Sequence, residues 1–432
     1  MVSSRLRRHP PPGPFRSGFW RSPIRGPWLT SVLGLVLLVG FTVVFATGLL
    51  SYAAYNPELG GGFNNDPTPE KGWLGFYLFD WPTRPVWLYR LNQGVHVTLG
   101  LVLIPVVLAK LWSVLPRLFQ WPPARTPAQA IERVSVALLV GGTVFQLVTG
   151  VMNIQYDYAW GFSFYQAHFY GAWVFIAAMA LHVSVRSRRV ISHLRGRSLL
   201  TELRTDVRST APEPPDEHGL VPTDPASATI SRRGALALVG TSSLALFVLS
   251  VGQSVGGLLR DVALLAPRGQ DYGEGPNGFQ VNKTAAAAGI DPAMTGAGWR
   301  LELRGTRTVS LSRAQLLGMD LHDAELPIAC VEGWSTGNQI WTGVRLRDLA
   351  RLAGADDAEE VLVQSLQRGG AFTSAVLARN QLRDELSLLA LRVNGADLSP
   401  DHGSPARVIV PAAPGVHNTK WVSRMTFAQD IP

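Results

Sequence analysis

Apolar positions are not spread evenly along this chain of 432 residues. Between residues 28 and 258 they gather into long runs near 29–50, 91–115, 134–154, 167–185 and 235–258. A hydrocarbon core about 30 Å thick takes about 20 apolar residues in a helix, and each run meets that length. The pattern predicts a membrane all-α bundle of four plus one transmembrane helices. Residues 28–187 hold the first four, joined by short connections as in four-helix bundles, and residues 231–259 hold the fifth. From residue 260 the period changes. Short alternating runs at Arg300–Arg304, Glu360–Leu366 and Arg407–Val410 predict strands, and 312–319 and 346–353 predict short helices. Residues 260–432 therefore read as an α+β domain. A Pro- and Arg-rich tail at 1–27 is expected to be disordered. Residues 188–230 are a linker, polar and Pro-rich from 205 onward.

The net charge is +8, with a pI near 9.9. Nucleic-acid binding is excluded by where the charge lies. Arginines crowd residues 5–25, 110–133 and 186–208, whereas 51–89 and 155–166 hold only Lys71 and Arg84. Basic and non-basic loops alternate as the positive-inside rule requires. That rule puts the N-terminus inside the cytoplasmic membrane and residues 260–432 outside it. The loops assigned to the outside are rich in interfacial aromatics (Tyr52, Tyr55, Trp73, Trp81, Trp87, Tyr156, Tyr158 and Trp160). At the start of the fifth helix, Ser231, Arg232, Arg233, Gly234 and Leu236 resemble a twin-arginine export signal. Positive-inside flanking explains the two arginines equally well.

The chain has one cysteine, Cys330, so no internal disulfide forms. It sits in Leu326–Ala350, LPIACVEGWSTGNQIWTGVRLRDLA. This segment resembles the molybdopterin-binding domain of the sulfite oxidase family. There a cysteine-bearing strand precedes a loop and a W-x-G-x-x-L segment, matched here by Trp341, Gly343 and Leu346. Cys330, Val331, Glu332, Trp334 and Ser335 are most similar to the C-V-E-x-W-S setting of bacterial periplasmic methionine sulfoxide reductase catalytic subunits. A second block, 394–421, carries Asn394, Gly395, Leu398, His402, Gly403, Pro405, Arg407, Pro411, Gly415, Lys420 and Trp421 in the family's order. Two ordered blocks about 70 residues apart are a specific signal.

The resemblance implies a molybdenum centre, held by the two sulfurs of one pterin dithiolene and by the Cys330 thiolate, a soft ligand suited to such a metal. It implies that His402, Arg407, Asn418, Thr419 and Lys420 contact the cofactor's phosphate, with Arg407 able to grip it through two parallel bonds. Ser365 matches a pterin-contacting hydroxyl residue. Phe279–Thr284 (FQVNKT) resembles an N-terminal pterin-binding strand contributing Asn282 and Lys283. Two departures stand out. The loop GWSTGNQ lacks the arginine pair that helps sulfite oxidases hold sulfite, and no C-terminal dimerisation domain is expected before Pro432.

Ionisable residues in membrane helices are functional candidates. Three histidines qualify: His96 on the second helix, His168 and His182 on the fourth. The latter two are 14 residues apart, which puts them on one helix face about 21 Å apart. That spacing resembles four-helix b-type cytochromes, but two bis-histidine haems need four ligands. One haem b between His96 and His168 leaves His182 unpartnered. The alternative is that all three bond across helix interfaces.

The expected function is two-electron oxygen-atom transfer outside the cytoplasmic membrane, on a small-molecule or protein-bound oxide. The direction is reductase-like, with electrons passing through the lipid-embedded helices from quinone or another carrier. The alternatives are sulfite-type oxidation and a non-catalytic membrane scaffold with a degenerate pterin-binding domain.

Overall fold

The computed structural model describes residues 10–55, 79–122, 126–155, 162, 164–216, 219–267, 269, 272–369 and 373–429. Lys71, Trp73, Tyr156, Tyr158 and Trp160 lie outside the described residues. The chain divides into two compact units. The first comprises Met1–Phe45, Leu99–Val151 and Ala167–Phe247; the second comprises Ala46–Thr98, Met152–Gln166 and Val248–Pro432.

The main helices are α1 (Pro27–Tyr55), α2 (Leu88–Val102), α3 (Ile104–Leu118), α4 (Pro127–Gln155), α5 (Phe164–Gly196), α6 (Leu199–Arg204) and α7 (Arg232–Val255). Five stretches are long and apolar enough to cross a membrane: Pro27–Ala54, Leu88–Leu118, Gln129–Ile154, Phe164–Gly196 and Arg232–Val255. Each contains most of one apolar run of the sequence. The second stretch is two helices rather than one. Pro105 has no N–H to give to the preceding turn, so the helix breaks at Leu103 and restarts as α3.

In the first unit the basic tail is folded from residue 10, against the expectation of disorder. Short 3-10 turns occupy Gly13–Phe15 and Ser17–Phe19. The Arg25 guanidinium lies over Trp20 (4.9 Å) and Trp112 (4.2 Å). The linker is also tied down. Glu213 is buried, accepts the Trp28 N–H at 2.9 Å and lies 3.8 Å from Arg232. Arg232, the first arginine of the twin pair, is itself buried and also meets Glu202 at 3.3 Å.

In the second unit residues 292–428 supply α8 (Pro292–Thr295), β1 (Arg300–Arg304), β2 (Thr308–Ser312), α9 (Arg313–Leu317), β3 (His322–Leu326), β4 (Gln339–Arg345), α10 (Leu346–Leu352), β5 (Glu360–Ser365), β6 (Ser374–Ala378), α11 (Arg379–Arg383), β7 (Leu388–Val393), β8 (Ala396–Asp397), β9 (Arg407–Ile409) and β10 (Val422–Ala428). One sheet has the order β2-β1-β10-β5-β6; the other runs β3-β4-β7-β8 with β9 also on β7. All pairings are antiparallel except β1 with β10. Strand β7 reads LLALRV, a nearly continuous apolar run, because both its faces are covered. Leu389 and Leu391 enter one hydrophobic cluster; Leu388, Ala390 and Val393 enter another. Helix α9 starts on a capping box: the Ser312 hydroxyl accepts the Gln315 N–H, and the Gln315 side chain accepts that of Ser312.

The W-x-G-x-x-L segment holds the second sheet together. Trp341 is fully buried and donates its indole N–H to the Leu326 carbonyl at 3.0 Å. Gly343 sits where β4 crosses a register shift against β7, and a Cβ there would stand 2.0 Å from the Leu389 carbonyl oxygen. Backbone cannot yield as a flexible side chain does, so Gly343→Ala is predicted to cost about 3 kcal/mol through overpacking. The measurement is the urea midpoint of the full chain in detergent, followed by tryptophan fluorescence. An unchanged midpoint would contradict this reading of Gly343.

Candidate active site

Cys330 follows strand β3 and enters a tight turn. The Cys330 N–H donates to the Trp334 carbonyl at 2.8 Å, and the Gly333 N–H donates back to the Cys330 carbonyl at 3.1 Å. Isolated bridges join Ala329 to Ser335 and to Pro414. The latter brings the cysteine turn alongside the second motif block, 394–421. Gly333 has φ of +92°, a left-handed conformation that favours glycine. Glu332 and Trp334 are buried, and the Trp334 indole N–H donates to the Glu332 carboxylate at 2.8 Å.

The thiol faces a narrow cleft of about 30 Å³. Its walls bring together Cys330, Asn282, Lys283, His402, Arg407, Asn418, Thr419 and Lys420, all singled out in the sequence. Arg407 forms the floor. Its two terminal nitrogens donate to the His402 and Asn418 carbonyls, each at 3.1 Å, and its face lies over Trp341. The Asn418 side-chain oxygen accepts the Val410 N–H at 2.8 Å, and the Thr419 carbonyl accepts that of Val408 at 2.9 Å. Lys420 donates to the Asp401 carbonyl at 2.9 Å and to the Lys283 carbonyl.

These groups are costly to bury. Desolvation lowers the Arg407 pKa to about 9 and holds Lys420 well below the usual lysine value, with Arg407 adding repulsion. Burial, reinforced by Arg407, takes His402 down to about 4, so the ring is neutral at pH 7. His402 Nε2 lies 2.9 Å from the Asn277 carbonyl, which can only accept, so Nε2 carries the proton. Its ring stacks on Phe279, with centroids 3.8 Å apart.

Does this cleft suit a molybdopterin? Three polar groups of its lining residues are buried without a hydrogen-bond partner: the Gln280 amide nitrogen, the Arg407 Nε and the Thr419 hydroxyl. Buried donors left in this way are worth satisfying, and a phosphate oxygen would do so. The concentration of Lys283, Arg407 and Lys420 demands an anion. The donor chemistry therefore fits. The volume is small beside the ~300 Å³ or more of a typical ligand pocket, so the cleft must open to admit a group of pterin size.

Other sequence candidates fall elsewhere. Ser365 is not on the cleft; its hydroxyl donates to the Lys420 carbonyl at 2.8 Å and accepts the Gln367 N–H at 3.1 Å, bracing the loop that is. The 279–284 segment is not a strand of either sheet but irregular chain along the cleft. Its Asn282 side chain makes a local bond to the next backbone N–H, and just beyond the segment the Ala285 N–H goes to the distant Asp401 carboxylate. Among the histidines, His96 Nδ1 lies 3.3 Å from the Thr47 hydroxyl and His168 Nδ1 lies 3.0 Å from that of Thr149. Each ring packs on the glycine after that threonine, where a Cβ would come within 3.0 Å at Gly48 and 3.2 Å at Gly150. His182 instead lines a cavity of about 930 Å³ in the first unit, with Lys110, Arg117 and many aliphatic side chains. Sequence reasoning missed Gln280 and Trp334 as cleft residues, although both lie inside the matched segments.

The His402 shift has a sign. Its folded pKa of about 4 lies below the unfolded value near 6.5, so between them the unfolded chain binds more protons. The stability it supports is complete above about pH 6.5 and is lost as pH falls towards about 4. In His402→Asn, thermal stability measured across that window is predicted to fall less steeply than in the parent chain. Equal slopes would show that His402 is not held neutral.

Residues 288–431 match the family model described as the oxidoreductase molybdopterin binding domain. The chain is 28% identical over 134 residues to the uncharacterized oxidoreductase YuiH of Bacillus subtilis, covering 31% of this chain and 66% of that protein. It is 31% identical over 151 residues to the mitochondrial sulfite oxidase of Mus musculus, covering 29% and 28%. It is 36% identical over 107 residues to the NAD(P)H nitrate reductase of Hordeum vulgare, covering 22% and 12%. The chain thus spans from 12% to 66% of the length of these relatives. The buried Cys330 thiol and its cationic cleft thus lie largely within a segment that matches the oxidoreductase molybdopterin binding domain and that is similar in sequence to parts of sulfite oxidases and nitrate reductases.

Proposed function

We propose that the protein is a membrane-bound molybdenum oxidoreductase working outside the cytoplasmic membrane, reducing a sulfoxide or similar oxide. The observation that carries this is the Cys330 thiol on a cleft whose floor presents the unsatisfied Arg407 Nε and Thr419 hydroxyl. Cys330 would ligate the metal. Arg407, Lys420, Lys283, Asn418 and Thr419 would hold the pterin phosphate, with neutral His402 closing that end. When bound, the group supplies two-electron oxygen-atom transfer; the protein supplies binding, orientation and electrostatics.

The chain's own residues favour this in three ways. Cys330 is buried on the cleft that Arg407 and Lys420 also line, and metal ligation would hold its thiol deprotonated. The turn hydrogen bonds fix the thiol's direction before any ligand arrives. Glu332 is buried, accepts the Trp334 indole N–H and is not among the cleft's lining residues.

The reductase direction rests on the C-V-E-x-W-S setting and on Gly333–Gln339 having no basic residue to hold a sulfite dianion. Sulfite oxidation is the second reading, favoured by the sulfite oxidase relatives. Electrons are assigned to a path through the helices. His96 and His168 are the haem candidates, since fixing one ring nitrogen is how metal-ligating imidazoles are oriented. The aliphatic cavity beside His182 is the place for a quinone.

One purified preparation tests these points. The expected results are one molybdenum per chain, a b-type Soret band, and reoxidation of the reduced metal signal by a sulfoxide but not reduction of it by sulfite. Sulfite reduction without reoxidation by any oxide would reverse the direction. Absence of molybdenum from cofactor-replete cells would favour the scaffold, and absence of a Soret band would remove the haem. Cys330→Ser is expected to lose at least 100-fold in turnover, about 2.7 kcal/mol, with an unchanged circular dichroism spectrum; normal activity would refute the ligand assignment.

A further inference from the structure

The outward side of the Cys330 turn is satisfied by residues far away in sequence. The Val331 carbonyl accepts from the Gln93 side-chain amide on α2, 238 positions away. The Gly333 carbonyl accepts from the Ser254 hydroxyl near the end of α7. The Ser335 hydroxyl donates to the Ser254 carbonyl at 2.7 Å, and the Ser335 N–H donates to the Gln253 carbonyl at 2.9 Å. Arg260 donates to the Ser335 carbonyl at 2.8 Å. Contact is close as well as polar: a Cβ at Gly333 would stand 2.7 Å from Val97 of α2.

Gln93 is held at both ends. Its amide oxygen accepts the Ser51 hydroxyl of α1 at 2.7 Å while its NH₂ reaches Val331. It is 7% exposed, and Ser254 is 6% exposed, so water does not compete for these bonds. A buried carbonyl that loses its donor costs about 1–3 kcal/mol. The turn would shift to recover that loss, and the thiol one residue away would shift with it.

We infer that Gln93 is a positioning residue for the Cys330 sulfur, acting through the Val331 carbonyl, with Ser254 as the other half of the same clamp. The inference rests on the reading of Cys330 as the metal ligand. It makes the ends of α2 and α7 part of the metal site rather than a tether for it. Residues behind a metal ligand change affinity or activity about 10- to 100-fold when removed. Gln93→Met keeps the length and loses the donor.

The test uses the full-length protein in detergent with two readouts. One is the electron paramagnetic resonance signal and reduction potential of the metal. The other is amide hydrogen exchange over residues 331–335, which needs no cofactor. The control is Asn92→Ala, which removes a 2.9 Å bond to the Thr47 carbonyl on the same helix without touching the turn. Expected for Gln93→Met are at least tenfold faster exchange, a displaced signal and potential, and kcat lowered about 10-fold or more with little change in KM. Ser254→Ala, the second variant should Gln93→Met fold poorly, is expected to act in the same direction. An unchanged signal, or equal effects from Asn92→Ala, would overturn the inference. If the parent chain holds no molybdenum, the functional proposal fails, and the exchange arm still decides whether Gln93 holds the turn.

Discussion

The five-residue turn from Cys330 to Trp334 is held by bonds from several separate parts of the second unit. A cysteine ligand is useful only if its sulfur points one way. Here the direction is set from inside by the Cys330–Trp334 and Gly333–Cys330 backbone bonds, and from outside by donors on α2 and α7. Gly333 permits the left-handed step that closes the turn and leaves room for Val97. Below the turn, β4 and β7 form the rigid base, with Trp341 and Gly343 allowing their close approach.

The second constraint is electrostatic. Arg407, Lys420 and Lys283 lie on one cleft, and burial is the largest cause of the lowered pKa of each, with repulsion from Arg407 adding to it at Lys420. Such a cluster is unfavourable on its own and is tolerated because backbone carbonyls of His402, Asn418, Asp401 and Lys283 face the charges. The carbonyls leave the Arg407 Nε and the Thr419 hydroxyl unsatisfied. A neutral His402 fits this setting, since one more cation would add to the repulsion.

Much of this was legible in the sequence, and for identifiable reasons. The strands at Arg300–Arg304, Glu360–Ser365 and Arg407–Ile409 follow from short-range apolar patterning, and the five long helical stretches follow from run length. The cleft residues were legible because two motif blocks carried them. Sequence reasoning did less well where tertiary contacts decide. Ser365 braces a loop, and residues 279–284 take irregular form, with Asn282 bonding the next N–H, Gln280 meeting Arg260 and the Lys283 carbonyl taken by Lys420. The buried ties of Arg232 and the clamp on the cysteine turn join residues up to 238 positions apart, beyond what any local pattern records.

The central claim is that the Cys330 sulfur bonds the metal. Molybdenum K-edge X-ray absorption on the loaded full-length protein tests it most directly, by counting sulfur neighbours. Three are expected in the parent chain, two from the dithiolene and one from Cys330, and two in Cys330→Ser. The same number of sulfurs in both proteins would contradict it.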